Sequence, residues 1–338
     1  MSFEEAQQHL DDAEQVLTED PLNYYALLSK ANSLRILGEY EDSVSSYRMA
    51  IEVMTEPSAN PYLGLSATYL QLQQPEESLL VCDEAISTFP KNSDLWFNKG
   101  VAHSDLNQMS NAYECFDNSS DFCENHDAEV YYQRGKTLQN SKVYDMALES
   151  FEKALEIDGS LVKALIGKAV VFNERQEYES SLENLNQALD LHNEDFLMGL
   201  LILKADVLFN IGSYNESIEC CKMAAELNET NAAPHITIGN CFVALGDLEN
   251  AISEFDMVID MNNDTSAIYY KGRAYLHFEM LNDAISCFEK VIEDQESDLV
   301  ADATWYMGNA YELLGRAEEA EQLYTNAKLI DPNCGDCA

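Results

Sequence analysis

A period of 33 to 36 residues runs through almost the whole of this 338-residue chain. Small residues recur with this spacing at Ala31, Ser66, Gly100, Gly135, Ala169, Ala205, Gly239, Gly272 and Gly308. Twelve residues after each of them stands another small residue, from Ser43 to Ala320, and four residues further stands a large or soft apolar one, from Tyr47 to Tyr324. Such a period limits the chain to architectures in which similar units stack.

Each unit carries the pattern of two α-helices. Within a unit the apolar residues fall at i, i+3 or i+4, and i+7, which is one face of a helix. Short breaks, such as those at Gly38, Gly212 and Gly246, separate the two helices. The small residues let the helices approach closely, and the large residues fill the space beside them. Because one helix pair cannot bury its apolar face alone, neighbouring units must stack.

The period and these positions resemble the tetratricopeptide repeat family. The segment from Ala303 to Pro332 matches the family pattern nearly throughout. Nine units begin near residues 24, 59, 93, 128, 162, 198, 232, 265 and 301. The proline that ends a unit in the family is present only at Pro90 and Pro332. Elsewhere other turn residues are expected to end helices, namely Gly159, Asn193 and Asn263.

The resemblance implies an all-α fold, a right-handed superhelical solenoid of antiparallel helix pairs. It divides the chain into an N-terminal half-repeat helix, one continuous array of nine repeats and a short tail, at residues 1–22, 23–334 and 335–338. Solenoids need polar caps, and the array stops without an additional polar helix. We therefore expect the last face, around Tyr324 and Ala327, to be partly exposed and prone to self-association.

The net charge excludes several classes of partner. Asp and Glu number 61 against 19 Lys and Arg, which gives a charge of −42. Nucleic acids and anionic membranes both draw their protein affinity from Lys and Arg, so we expect neither as a partner. A neutral or basic protein, or a salt-rich environment, accounts better for the acidity.

The N-terminal sequence shows no secretory signal, because it has neither a basic region nor an apolar run. An apolar stretch from Leu197 is interrupted by Lys204 and Asp206, so it does not resemble a membrane span. The nine cysteines therefore indicate reduced thiols in a cytoplasmic protein.

Motifs for catalysis or ligand binding are incomplete. The triplet Gly135–Thr137 resembles the end of a phosphate-binding loop, but Val130 replaces its first glycine and the triplet falls inside a predicted helix. A calcium-like sequence from Asp260 has Thr265 in place of the required glycine. The six histidines are scattered, and no nucleophile motif is present. We therefore predict no enzymatic activity, no cofactor and no metal site from these motifs.

The pair Cys334 and Cys337 forms a C-x-x-C at the C-terminus and leaves one alternative function open. A redox pair usually opens a helix beside a sheet, and a metal site would need two more ligands. An incidental tail is the favoured interpretation. The alternative is an accessory factor in which these thiols bind metal or exchange disulfides, and self-assembly through the C-terminal end is a further one.

In the tetratricopeptide family the first helices line an inner groove that holds peptide segments. In that family positions 2, 5, 9, 12 and 13 of each first helix face the groove. Position 5 is apolar here, with the candidates Leu28, Phe97, Tyr132, Ile166, Ile202, Tyr269 and Trp305. One turn later, position 9 adds the polar candidates Asn32, Lys136, Asn240, Arg273 and Asn309. Asn both donates to and accepts from a main chain, and aromatic residues are frequent hot spots. Half-buried packing between first helices is the alternative for position 5.

The resemblance thus implies a non-catalytic scaffold that binds a peptide segment or a partner protein. Some members of the family clamp acidic C-terminal tails with Lys, Asn and Arg at fixed positions of three successive repeats. No three successive units satisfy that pattern here, since Tyr132 and Gly167 stand where two of the clamp residues are needed. The clamp is therefore not expected.

Six of the 19 cations share position 7 of the repeat: Lys30, Lys99, Arg134, Lys168, Lys204 and Lys271. In the same six units position 29 is acidic: Glu52, Asp121, Glu156, Asp190, Glu226 and Glu293. This matched occurrence predicts an ion pair between the two helices of one unit, with the long stem of the cation lying along apolar surface.

Overall fold

A computed structural model describes residues 3–123, 127–191, 193–294, 297–332 and 334 of the chain. Within these ranges it contains nineteen α-helices and no strand, which confirms the all-α prediction. The helices are α1 Phe3–Glu19, α2 Tyr24–Leu37, α3 Tyr40–Val53, α4 Asn60–Gln71, α5 Pro75–Thr88, α6 Ser93–Asp105, α7 Met109–Phe122, α8 Ala128–Asn140, α9 Tyr144–Ile157, α10 Val162–Glu174, α11 Tyr178–Asp190, α12 Glu194–Asn210, α13 Tyr214–Leu227, α14 Ala232–Ala244, α15 Leu248–Asn262, α16 Thr265–His277, α17 Leu281–Glu293, α18 Val300–Leu313 and α19 Ala317–Ile330.

The helices form two compact units, Met1–Glu174 and Arg175–Ala338. Within each unit, helices that follow one another along the chain pack together through short connections, which makes them antiparallel neighbours. The boundary falls between α10 and α11, the two helices of the fifth predicted repeat. The single continuous array over 23–334 therefore stays a prediction.

Eight of the nine predicted unit starts lie within one residue of the start of a first helix. The exception is α12, which begins at Glu194, four residues before the predicted 198. Asn193 causes this earlier start, because its side chain caps the helix by accepting a hydrogen bond from the Asp195 backbone N–H. Asn193 therefore begins a helix, where the sequence predicted that it would end one.

The turn chemistry between helices agrees with the sequence at the glycine breaks. Gly38, Gly212 and Gly246 take left-handed backbone conformations with φ of 84°, 82° and 80°. Asn263, with φ of 53°, ends α15 in the same way, as predicted. Such residues let the chain leave one helix and reverse within a few residues, which keeps consecutive helices in contact.

In five repeats the ring of a phenylalanine or tyrosine from the second helix packs on a glycine of the first helix of the same repeat. Phe151 and Phe255 are completely buried. A Cβ built on Gly239 would lie 2.5 Å from the ring of Phe255, so only glycine fits there. Phe151 also presses on Gly167 of the next first helix, where an added Cβ would lie 2.5 Å from the ring. The ring of Phe151 therefore packs against the first helices of two successive repeats.

The cations at position 7 form hydrogen bonds with residues of the preceding repeat. The predicted ion pair between the two helices of one repeat is therefore wrong. The bonds run Lys30–Glu14 at 2.7 Å, Lys99–Asp83 at 2.6 Å, Arg134–Asp117 at 3.0 Å, Lys168–Glu152 at 3.2 Å, Lys271–Asp256 at 2.5 Å and, to an amide, Lys204–Asn186 at 2.8 Å. Every partner stands on the second helix of the preceding repeat, at position 25. Successive side chains of a helix point in different directions. Because position 8 faces the second helix of its own repeat, position 7 faces the second helix of the preceding repeat.

The C-terminal helix pair buries part of the face that the sequence predicted to be partly exposed. Ala327 is completely buried, Tyr324 is half-buried, and Cys334 packs with Ala301 and Ala327. A shallow cavity on α19 is lined by polar residues: Glu318, Glu321, Gln322, Thr325 and Asn326. Partial exposure is therefore observed for Tyr324 and not for Ala327, and Leu329 and Ile330 on the same helix are 79% and 56% exposed. Self-association through this end stays a prediction. Cys337, the second thiol of the C-x-x-C, lies outside the described residues.

Candidate functional site

Two cavities between successive first helices contain residues that the sequence predicted for the site. The α2/α4 cavity, in the first unit, has a volume of about 340 Å³ and is lined by Leu28, Asn32, Arg35, Asn60, Leu63, Gly64 and Ala67. The α14/α16 cavity, in the second unit, also has a volume of about 340 Å³ and is lined by Phe209, Asn240, Val243, Ala244, Tyr270, Arg273, Ala274 and His277. The cavities therefore contain four of the twelve candidates.

The α14/α16 cavity brings together Asn240 and Arg273, from position 9 of two successive first helices. The guanidinium carbon of Arg273 lies 5.0 Å from the ring centre of Tyr306 and 5.8 Å from that of Tyr269. Such cation–π contacts orient the group without using its N–H donors. Arg273 lines the cavity, and among the described residues no carboxylate forms an ion pair with it.

The floor of this cavity is apolar and fixed by the core. Phe209, Val243 and Tyr270 line it, and the ring of Tyr270 stacks on the buried Phe255 with centroids 6.5 Å apart. Phe255 is in turn held against Gly239. An apolar floor with a few convergent polar groups is the usual composition of a binding site.

Burial raises the pKa of the Tyr269 hydroxyl beneath Arg273, and the nearby guanidinium opposes that shift. Tyr269 is therefore neutral at physiological pH. Only 5% of its surface is exposed, because its ring packs on Phe288 and Tyr306. Tyr269 thus packs against Arg273 and exposes little surface of its own to a partner.

The other two asparagines at position 9 are already occupied by the fold. The hydroxyl of Tyr47 donates to Asn32 Oδ1 at 2.6 Å, and that of Tyr324 donates to Asn309 Oδ1 at 2.7 Å. The repeat of Asn240 has Phe255 in the place of these tyrosines, and no described residue forms a hydrogen bond with the Asn240 side chain. Of the three asparagines, Asn240 is the one whose amide is fully available.

The remaining aromatic candidates at position 5 pack on the second helix of their own repeat. The ring-centre distances are 5.7 Å for Phe97–Phe116, 6.1 Å for Tyr132–Phe151 and 4.5 Å for Trp305–Tyr324. Phe97, Tyr132 and Trp305 are half-buried, so one face of each is accessible. This geometry favours packing as the main role of position 5.

The last three candidates lie away from the two cavities. Ile166 and Ile202 are half-buried on α10 and α12, and Lys136 is exposed on α8. Lys136 belongs to the glycine–lysine–threonine triplet, which lies inside α8 as predicted. The glycine of that triplet, Gly135, packs against Phe151. The triplet is therefore part of the helix packing.

The resemblance placed positions 2, 12 and 13 on the groove face as well, but the candidates came from positions 5 and 9 only, so several lining residues were left out. Arg35 and Phe209 stand at position 12 of their repeats, Asn60 at position 2 and His277 at position 13. These positions share the helix face of positions 5 and 9, so the signal was the same periodicity applied to the whole face. Tyr270, at position 6, gave no such signal, because it reaches the cavity by stacking on Phe255.

Two kinds of absence in the described ranges bear on the site. No group of three or more His, Cys, Asp or Glu side chains there is placed to hold a metal ion. Among the helices described, none combines the length and the apolar character needed to cross a bilayer.

Comparison with known proteins identifies the repeat. One profile described as a tetratricopeptide repeat matches residues 93–126, 128–160 and 199–231, and a second profile of the same description matches residues 269–333. Both sets of matches follow the helix pairs of the structure.

Similar proteins come from distant organisms. A TPR repeat-containing protein of Methanocaldococcus jannaschii is 22% identical, covering 87% of this chain and 50% of its own length. The mitochondrial import receptor subunit TOM70 of Homo sapiens is 23% identical, covering 70% of this chain and 39% of its own length. The chain thus spans half or less of these two curated relatives.

A solved structure shares the fold. The crystal structure of a tetratricopeptide repeat protein from Parabacteroides merdae superposes with a TM-score of 0.56 and 20% identity, covering 74% of this chain and 98% of that chain. At this level of identity, the likeness concerns the fold alone.

Proposed function

Because this chain is a tetratricopeptide repeat protein, we propose that it is a non-catalytic scaffold that binds a peptide segment or a partner protein along its first helices. The α14/α16 cavity carries the proposal. It offers one available amide, on Asn240, and one guanidinium without a carboxylate partner among the described residues, on Arg273. Both lie over an apolar floor.

The chemistry of the cavity suits an extended peptide. The amide of Asn240 both donates and accepts, so it matches both groups of a main-chain peptide unit. Arg273 adds N–H donors that main-chain carbonyl oxygens accept. An aliphatic or aromatic side chain of the peptide would fill the space above Phe209, Val243 and Tyr270. Because these residues stand on packed helices, little ordering free energy is lost on binding.

The net charge of −42 supports a neutral or basic partner, since an acidic one would be repelled at long range. The same charge argues against nucleic acids and anionic membranes as partners. The cysteines of the described residues are free of disulfides, which supports the cytoplasmic location that we propose.

The relatives are compatible with a binding role. The human relative is named as a receptor subunit, and that name supports binding in general without indicating a partner for this chain. The α2/α4 cavity is a second candidate subsite, because Arg35 and Asn60 line it beside Leu28 and Leu63.

The proposal is tested with peptides selected from a displayed library on the purified chain. Their affinities are then measured for the wild type, for Asn240→Ala/Arg273→Ala and for Arg35→Ala/Asn60→Ala. Lys91→Ala, which removes a cation outside both cavities, is the control. We expect at least one double variant to lose about tenfold or more in affinity, with the control unchanged.

Two results would contradict the proposal. Selected peptides that bind both double variants as tightly as the wild type would place binding outside the first helices. Failure of any peptide to be enriched on a folded wild-type chain, as shown by its circular dichroism, would argue against peptide binding altogether.

A further inference from the structure

Large apolar side chains are exposed on two successive second helices of the second unit. Met223 and Leu227 on α13 are 54% and 51% exposed, and Met257 and Met261 on α15 are 42% and 44% exposed. We call these four residues the methionine face. They lie on the second helices, whereas the cavities described above lie between first helices.

The four residues occupy equivalent places on the two helices. In each helix the pair is four residues apart, so its members are neighbours on one face. The buried residues of α13 and α15 lie on a different face, and both helices pack on α14 between them. The repeat therefore places the two apolar pairs at corresponding points of adjacent repeats.

The fold does not require methionine at the first place of each pair, where Met223 and Met257 stand. At position 26, which Met223 and Met257 occupy, six of the nine repeats have a polar residue: Glu84, Asn118, Lys153, Gln187, Lys290 and Asn326. Met49 on α3 is the third methionine at this position. The second helix that follows it carries Glu84, so Met49 has no matching neighbour on that side.

Acidic residues border the methionine face. Glu226 follows Met223 by three residues, and Asp260 follows Met257 by three residues. Between residues 214 and 262 the chain contains nine Asp and Glu and one Lys, Lys222. Exposed apolar side chains bordered mainly by acidic residues fit an amphipathic helix whose polar side is basic. Methionine adds adaptability, because its flexible side chain moulds to different apolar partners.

We propose that the methionine face binds a basic amphipathic helix of a partner protein. The apolar stripe of that helix would cover Met223, Leu227, Met257 and Met261, and its Lys or Arg residues would face the carboxylates of Glu226 and Asp260. Burial of the apolar side chains supplies the affinity, and the charges select a basic partner over an acidic one. This site adds a second, independent surface to the proposed scaffold.

A second copy of the chain is a poorer occupant. Self-association through this face would bring Glu226 and Asp260 of both copies together, and juxtaposed like charges are unfavourable. A membrane with anionic lipids is disfavoured for the same reason. Self-association is one of the outcomes that the test below distinguishes.

The test uses two synthetic peptides of about 18 residues made of Leu and Lys. One has its Leu residues along a single helical stripe, and the other has the same composition with no stripe. Fluorescence anisotropy at about 150 mM salt, where long-range attraction is screened, gives their affinities for the full chain. We expect the striped peptide to bind at least about tenfold more tightly than the permuted one.

The variant Met223→Gln/Met257→Gln introduces a polar side chain of the kind other repeats carry at this position, so it should fold. We expect it to weaken binding of the striped peptide about tenfold. Met49→Gln, the matched substitution in the first unit, and Asn240→Ala/Arg273→Ala, in the first-helix cavity, should leave that affinity unchanged.

Three outcomes would overturn the proposal. Equal affinity of the two peptides would indicate general electrostatic attraction. An unchanged affinity in the folded Met223→Gln/Met257→Gln variant would place the peptide elsewhere. A concentration-dependent dimer of the wild type that dissociates in this variant, measured by analytical ultracentrifugation, would identify a second copy as the occupant.

Discussion

Asn32 and Asn240 stand at the same position of their repeats but have different surroundings. Both asparagines line a cavity, but the amide of Asn32 accepts a hydrogen bond from the buried Tyr47, whereas no described residue forms a hydrogen bond with the side chain of Asn240. The same position of the repeat therefore stabilises the packing in one repeat, where it is Asn32, and is available for binding in another, where it is Asn240. The residue that decides between the two is the tyrosine or phenylalanine fifteen residues later, Tyr47 or Phe255.

Substitution of these two asparagines should separate stability from binding. Asn32→Ala should lower the free energy of unfolding by about 1 kcal/mol, because the Tyr47 hydroxyl loses its partner. Asn240→Ala should change it by less than about 0.5 kcal/mol. Urea unfolding followed by circular dichroism measures both. Equal losses in the two variants would contradict the assignment.

The buried thiols give a pH-dependent prediction. Burial raises the pKa of the Cys221 thiol to about 12 and that of the Cys82 thiol to about 11, from 9.0. Because the folded pKa lies above the unfolded one, the protonated thiols stabilise the fold fully below pH 9. That stabilisation is lost as the pH rises from about 9 toward 11 or 12.

Alkylation with iodoacetamide at pH 8, followed by mass spectrometry, tests the burial of these thiols. We expect Cys82 and Cys221 to stay unmodified while the half-buried Cys123 reacts, because the reagent needs an accessible thiolate. Modification of Cys82 or Cys221 at the rate of Cys123 would show that these thiols are accessible in the folded chain.

At the scale of the helix pair, the ring of the second helix determines where glycine is required. Gly239→Ala should destabilise the chain by about 1 to 3 kcal/mol, because the new Cβ would lie 2.5 Å from the Phe255 ring. Gly199→Ala, on α12, meets no atom within 4 Å and should stabilise by about 0.5 to 1 kcal/mol through helix propensity. Thermal unfolding of both variants checks the sign. A Gly239→Ala variant as stable as wild type would show that the ring can move aside.

The pairing of position 7 with the preceding repeat is testable by a double-mutant cycle. Lys99→Ala and Asp83→Ala should show a coupling of about 0.2 to 1 kcal/mol, as expected for a partly exposed ion pair. The same cycle with Asp121, the acid at position 29, should show a coupling near zero. A larger coupling of Lys99 to Asp121 would instead support an ion pair between the two helices of one repeat.

The helix pairs could be predicted because their signal repeats nine times, with small residues beneath large ones. The ion-pair partner was missed because position 29 was compared within one unit only. The correct signal was also present: where position 7 is Leu65 or Ile238, position 25 of the preceding repeat is a cation, Arg48 or Lys222. The site was less predictable, because the sequence pattern does not show which asparagines the fold already uses.

At the scale of the whole molecule, the charge balance sets how stability responds to salt. With 61 acidic and 19 basic residues, at least 42 carboxylates have no cation to pair with one to one. Their mutual repulsion destabilises a compact state, and salt screens it. The melting temperature should therefore rise when NaCl is increased from about 0.01 to 0.3 M. A fall would mean that the inter-repeat ion pairs outweigh the repulsion.

The central claim is that the first helices hold the partner segment. Amide hydrogen exchange, measured on the full chain with and without a library-selected peptide, tests it most directly. The account predicts slower exchange in α14 and α16, or in α2 and α4, when the peptide is bound. Protection confined to second helices, with every first helix unchanged at saturating peptide, would contradict it.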